Sequence, residues 1–135
     1  MRNKAAVLII GFAIITATAP TDVMAETIKP VIQPHEVTYL GDWTITFYCN
    51  CQECSGKWAG GLTASGTEPT EGRTVASGSL DFGTEIYIEG LGDYVVEDRG
   101  VEGNWIDVYL DSHEACSQMG MMSRGVYLTD GGLYE

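Results

Sequence analysis

Past residue 42 the apolar residues of this chain come in short alternating runs, and nearly every run is closed by a glycine. Such a pattern excludes a bundle of long helices, which needs apolar residues recurring at three- and four-residue spacing over several turns, and calls for short strands joined by tight connections. In 43–49, Trp43, Ile45 and Phe47 share one face, and Thr44, Thr46 and Tyr48 share the other. Further strand patterns fall at 74–76, at 84–89 with Ile86 and Ile88 facing one way, and at 94–98. In 105–111, Ile106, Val108 and Leu110 oppose Asp107, Tyr109 and Asp111, and a last strand is expected at 125–129. The period changes at 112–119, where Asp111 and Glu114 are spaced as a capping box and Gly120 stands as a stop, so a two-turn helix is expected with Asp111 as its N-cap. Six strands and one short helix predict a mainly β fold, a small six-stranded barrel of mixed connectivity.

The chain before this region reads differently. Basic residues Arg2 and Lys4 precede an apolar run at 5–19, and Val23-Met24-Ala25 fits the small-x-small pattern of a signal-peptidase site. Residues 1–25 are therefore expected to be a signal peptide, 26–42 an extended leader, and 43–135 the barrel domain. Export implies a secreted or cell-wall-associated protein with no membrane contact once the signal is cut. A cut after Ala25 removes two basic residues and one acidic residue, moving the formal net charge from −12 to −13. A surface this acidic repels polyanions, which argues against nucleic acid and anionic lipid as partners and leaves a glycan open.

Residues 50–72 are rich in Gly, Ser, Thr and Cys, and a loop of this length is expected to be functional, covalently tied, or both. Cys49, Cys51, Cys54 and Cys116 are the disulfide candidates, because disulfides persist outside the cell and each contributes about 2–4 kcal/mol. The same residues with nearby His113 form the alternative of a zinc site; the disulfide expectation carries no metal and no cofactor. A Ser/His/Asp site has no support, since the only histidines are His35 in the leader and His113 in the helix.

Asp98 ends an apolar strand just before Gly100, where a barrel rim would expose it, and neighbouring Glu97 must point to the opposite face. An apolar surround on the side it shares with Val96 would raise its pKa toward that of a general acid; the alternative is a solvated strand-end acid paired with Arg99. Asp107 is either a second site carboxylate or one residue of an ordinary polar strand face. The hydroxyl-rich segment 63–67 is suited to line a sugar groove, and Trp58 and Trp105 offer stacking rings unless they pack in the core. Thr63, Ser65, Gly66, Arg99 and Trp105 are the candidate substrate-binding residues.

Taken in order, the segments 49–59 (Cys-x-Cys-x-x-Cys-x-Gly-Lys-Trp-Ala), 63–67 (Thr-Ala-Ser-Gly-Thr), 83–90, 96–100 (Val-Glu-Asp-Arg-Gly), 106–113 (Ile-Asp-Val-Tyr-Leu-Asp-Ser-His) and 126–128 resemble the 3D domain family, named for three aspartates. The resemblance spans residues 47–128. It implies a double-psi β-barrel related to the catalytic barrel of lytic transglycosylases, and an activity on peptidoglycan glycan strands that cleaves between N-acetylmuramic acid and N-acetylglucosamine. By position, Asp98 matches the family's aspartate before the glycine loop and Asp107 that of its Ile-Asp motif. A further aspartate common in the family after the strand at 74–76 is replaced here by Ser77-Gly78. One carboxyl can serve such a reaction as acid and then base, because the sugar's own 6-hydroxyl is the tethered nucleophile. Asp98 is expected in that role with Asp107 in support; the alternative is a glycan-binding barrel without catalysis.

Overall fold

The structure, a computed structural model, describes residues 37–129. The expected signal peptide lies outside the described residues. Six strands alternate with two short helices: β1 (Thr38–Tyr48), α1 (Gln52–Ser55), β2 (Thr74–Ala76), β3 (Glu85–Ile88), β4 (Gly92–Asp98), β5 (Trp105–Tyr109), α2 (His113–Met119) and β6 (Met122–Leu128). They close into a barrel in the order β1-β5-β2-β4-β3-β6. The pairs β1·β5 and β2·β4 are parallel, and the other four are antiparallel. The mainly β, six-stranded barrel expected from the alternating runs is the fold.

The inward positions of those runs supply the core. Ile45, Val75, Ile86, Ile88, Val96, Ile106, Val108 and Val126 are fully buried, with Trp43 beside them. β-Branched residues dominate this list, as suits side chains packed on a pleated surface.

Several details depart from the sequence expectation. β1 begins at Thr38, so 38–42, expected in the leader, is strand and pairs with β6 from Leu128 to Gly125. A register shift between Tyr39 and Gly41, with Gly41 at φ 108, breaks the alternation there and hides the strand from a period-2 reading. β6 likewise begins three residues early, at Met122. A second short helix, α1, forms within the cysteine loop and is followed by a single 3-10 turn (Gly56–Trp58), both too short to show a helical period. The N-cap of α2 is Ser112, not Asp111: Ser112 Oγ accepts from Ala115 N at 3.3 Å, while Asp111 N donates to Glu71 Oε2 at 2.8 Å. Both residue types cap well, and it is the Ser112 hydroxyl that accepts the helix N–H.

Pairing between β2 and β4 skips Glu97. Val75 faces Val96 and Ala76 faces Asp98, so Glu97 is the extra residue of a bulge. Its side chain is buried at 3% exposure, where Arg73 Nη2 donates to Oε1 at 2.6 Å and Thr74 Oγ1 to Oε2 at 2.7 Å. Asp98 is thereby released to the other side.

After β2 the chain packs closely on the loop that follows β4. A Cβ on Gly78 would lie 2.4 Å from the Val101 carbonyl oxygen, a backbone atom that cannot swing away. Gly78→Ala is therefore expected to lower stability by roughly 1–3 kcal/mol, read as a lower denaturant midpoint at unchanged slope. A midpoint equal to the parent's would contradict this close approach.

Candidate functional site

The register of the barrel decides which acids meet. Ala76 of β2 pairs with Asp98 on β4 and with Asp107 on β5, so the two aspartates flank one residue of the central strand. On the far side of β5, Thr46 of β1 is the partner of Asp107. Both carboxylates line a groove of about 510 Å³ whose walls include Tyr48, Asn50, Trp58, Leu62, Thr63, Ala64 and Arg99. A cavity of this size suits a ligand of one or two sugar rings.

The two carboxylates have different surroundings. Asp98 Oδ1 accepts from Ala64 N and from Arg99 N, each at 2.9 Å, and Oδ2 accepts from Tyr48 Oη at 2.7 Å. Burial, then the bond to Asp98, pushes the Tyr48 phenol well above its ordinary range, so it keeps its proton and remains a donor. Asp107 Oδ1 accepts from Thr46 Oγ1 at 2.9 Å, and Thr46 Oγ1 in turn accepts from Trp105 Nε1 at 2.8 Å. Burial raises the Asp107 carboxyl above the ordinary carboxylate range, the Thr46 hydroxyl pulls it down, and the charge of Asp98 raises it further. The surroundings of Asp107 therefore favour its protonated form.

Arg99 does not pair with the Asp98 carboxylate. Its Nη1 donates to Ser77 O at 2.6 Å and its guanidinium lies 3.7 Å from the Phe82 ring centroid, holding the 77–82 segment against the groove. The hydroxyl-rich segment is inward-turned: Thr63 Oγ1 lies 2.8 Å from Thr67 Oγ1 and 3.1 Å from Ser65 Oγ, and Ser65 N donates to Glu97 O at 3.0 Å. Thr63 lines the groove, whereas Ser65 and Gly66 shape the turn that aims Ala64 N at Asp98. Trp105, 36% exposed, acts on the groove through Thr46 and does not line it. Trp58 does line it, with 70% of its surface exposed, and is the ring available for stacking on a sugar.

Tyr48 and Thr46 are site residues that the sequence reading passed over. The signal was present: both lie on the face of β1 opposite Trp43, Ile45 and Phe47, and two residues apart they reach Asp98 and Asp107 in turn.

No disulfide joins the four cysteines in the structure. Cys49, Cys51 and Cys54 converge on His113, their ligand atoms all within 4.8 Å of one another; Cys116, also buried, stands outside that group. Backbone N–H donors, that of Cys54 foremost, pull the Cys51 thiol down to about 6, while burial pushes Cys49 up. Comparison with known proteins gives no match, either to a protein-family model or to a curated protein.

Because the folded state holds the Asp107 proton more tightly than the unfolded chain does, this group's contribution is fully favourable below the unfolded pKa and is lost as pH rises through the raised folded value. Asp107→Asn removes that loss. Thermal melts are expected to show the variant more stable than the parent at pH 7, with the difference shrinking toward pH 3. A variant less stable than the parent at pH 7 would count against a strained, buried carboxylate.

Proposed function

We propose that this protein is an exported lytic transglycosylase of the 3D-domain type, acting on peptidoglycan glycan strands and leaving 1,6-anhydro ends. The observation that carries the reading is the pair Asp98 and Asp107 on either side of Ala76, one held by three donors and the other buried with a raised pKa, at the floor of one groove. The closed barrel with two parallel pairs, each made of strands distant in sequence, is compatible with the double-psi form that the resemblance implies.

The division of labour is the reverse of the one expected from sequence. Asp107, as the protonated acid, gives its proton to the glycosidic oxygen while the C1–O bond breaks, so the leaving sugar departs with a hydroxyl. Positive charge develops on the ring, and the nearby Asp98 carboxylate, fixed by Tyr48, Ala64 N and Arg99 N, stabilises it. Asp107, now a carboxylate, takes the proton of the sugar's 6-hydroxyl as that oxygen bonds to C1. The acid is regenerated and no water is consumed. Hydrolysis instead divides acid and base or nucleophile between two carboxyls; the tethered hydroxyl makes one proton carrier sufficient.

A second reading, a wall-binding barrel without chemistry, is favoured by one observation: Ser77-Gly78 stand where the family often has an aspartate, and Gly78 has no room for a side chain. Purified cell wall separates the two. The parent is expected to release anhydro-muropeptides, detected by mass spectrometry, at a rate that falls as pH rises through the raised pKa of Asp107. Asp107→Asn is expected to lower that rate about 10²–10⁴-fold, and Asp98→Asn to lower it less. Parental release by Asp107→Asn would overturn the assignment; binding to insoluble peptidoglycan without new anhydro ends in the parent would favour the second reading.

A further inference from the structure

We propose that Cys49, Cys51, Cys54 and His113 bind one divalent ion of the zinc class as a closed structural site. The inference stands on the cluster itself and does not depend on what the groove does.

The spacing fits the ion. A tetrahedral centre with Zn–S near 2.3 Å and Zn–N near 2.0–2.1 Å places its sulfur and nitrogen ligands about 3.6 Å apart. Cys51 Sγ lies 3.5 Å and Cys54 Sγ 3.4 Å from His113 Nδ1, and all four ligand atoms fall within 4.8 Å of one another. One small metal ion can be reached by all four, as three sulfurs facing one ring nitrogen require.

The surroundings also point to a metal. His113 Nε2 lies 2.8 Å from Glu53 Oε2. With the ring proton on Nε2 and donated to Glu53, the Nδ1 lone pair faces the thiols, which is the carboxylate–histidine–metal arrangement that fixes a ligand's tautomer. Cys54 N donates to Cys51 Sγ at 3.5 Å, a bond that favours the thiolate a metal needs. Three thiolates and one imidazole fill a tetrahedral ion, leaving no open position for a reacting water, so the role is structural.

The site joins segments that the barrel brings side by side. β1 and β5 run parallel to the pair Tyr48 and Tyr109, so Cys49 just after β1 lies near the start of α2, where His113 stands. Cys51 is the N-cap of α1 and Cys54 lies within it. The ion would thus clip α1 and α2 to the same end of the barrel, and Cys54 and Ser55 carry that clip into the groove wall. It replaces the metal-free, disulfide-tied loop expected from sequence.

The purified chain, prepared with zinc and without chelator, is expected to hold one zinc per molecule by elemental analysis. Its Co²⁺ form should show the d–d bands of a tetrahedral thiolate site. His113→Ala and Glu53→Gln should weaken zinc affinity about tenfold or more, and Cys116→Ser should leave one zinc bound. Glu53→Gln and Cys116→Ser keep the test decisive if a ligand variant fails to fold. A mass four hydrogens lower than the reduced chain, with no metal, would mean two disulfides and overturn the site; so would unchanged zinc affinity in both His113→Ala and Glu53→Gln.

Discussion

The chemistry of this molecule depends on a strand of three residues. β2 pairs in parallel with β4 and antiparallel with β5, and that double pairing sets Asp98 and Asp107 on either side of Ala76. One intervening strand separates the two acid-bearing backbones by about 9–10 Å, close enough for one charge to act on the other. Both acids are carried by strands of a closed barrel, so their separation is fixed by ladder hydrogen bonds and not by a loop. The bulge at Glu97 completes the device. Were Glu97 paired in register and not bulged, it would stand opposite Ala76, and the acid now held by Arg73 and Thr74 would take the place of Asp98.

Two carboxylates of the same residue type have different hydrogen-bond partners here, and differing surroundings are how acid and base roles are usually assigned within one site. Asp98 receives three hydrogen bonds, two of them from backbone N–H groups; Asp107 receives one, from a threonine. The donors come from separated parts of the chain. The turn at 63–67 presents Ala64 N, β1 presents Tyr48 and Thr46, and Trp105 orients Thr46 from β5. The glycine- and hydroxyl-rich loop thus serves the groove mainly by positioning Asp98, and less by offering hydroxyls to a ligand.

Alternation made the barrel legible: the buried faces of β1, β3 and β5 are the ones read from Trp43 and Ile45, Ile86 and Ile88, and Ile106 and Val108. It failed where a local irregularity interrupted it, as at the bulge near Gly41, or where an element was shorter than its own period, as in α1. The cap of α2 was misread because Asp111 and Ser112 are adjacent and both good caps, a one-residue choice that spacing does not resolve. Asp98 was a candidate from its place at a strand end, and Asp107 from the family resemblance. Which of them has the raised pKa could not be read from either, because burial and the number of donors arise only once β1, β4 and the 63–67 turn are assembled. The cysteines show the same limit. Their spacing admitted both disulfides and a metal, and only the fold brings His113, with Glu53 behind it, to three of the four.

The central claim is that burial, with the Asp98 charge beside it, raises the pKa of Asp107. Carboxyl-carbon NMR titration of the aspartates tests it most directly. Asp107 is expected to titrate above the ordinary value of about 3.9, and to move down toward it in Asp98→Asn, where the neighbouring charge is gone. An Asp107 that titrates at or below the ordinary aspartate value in the parent protein would contradict the account.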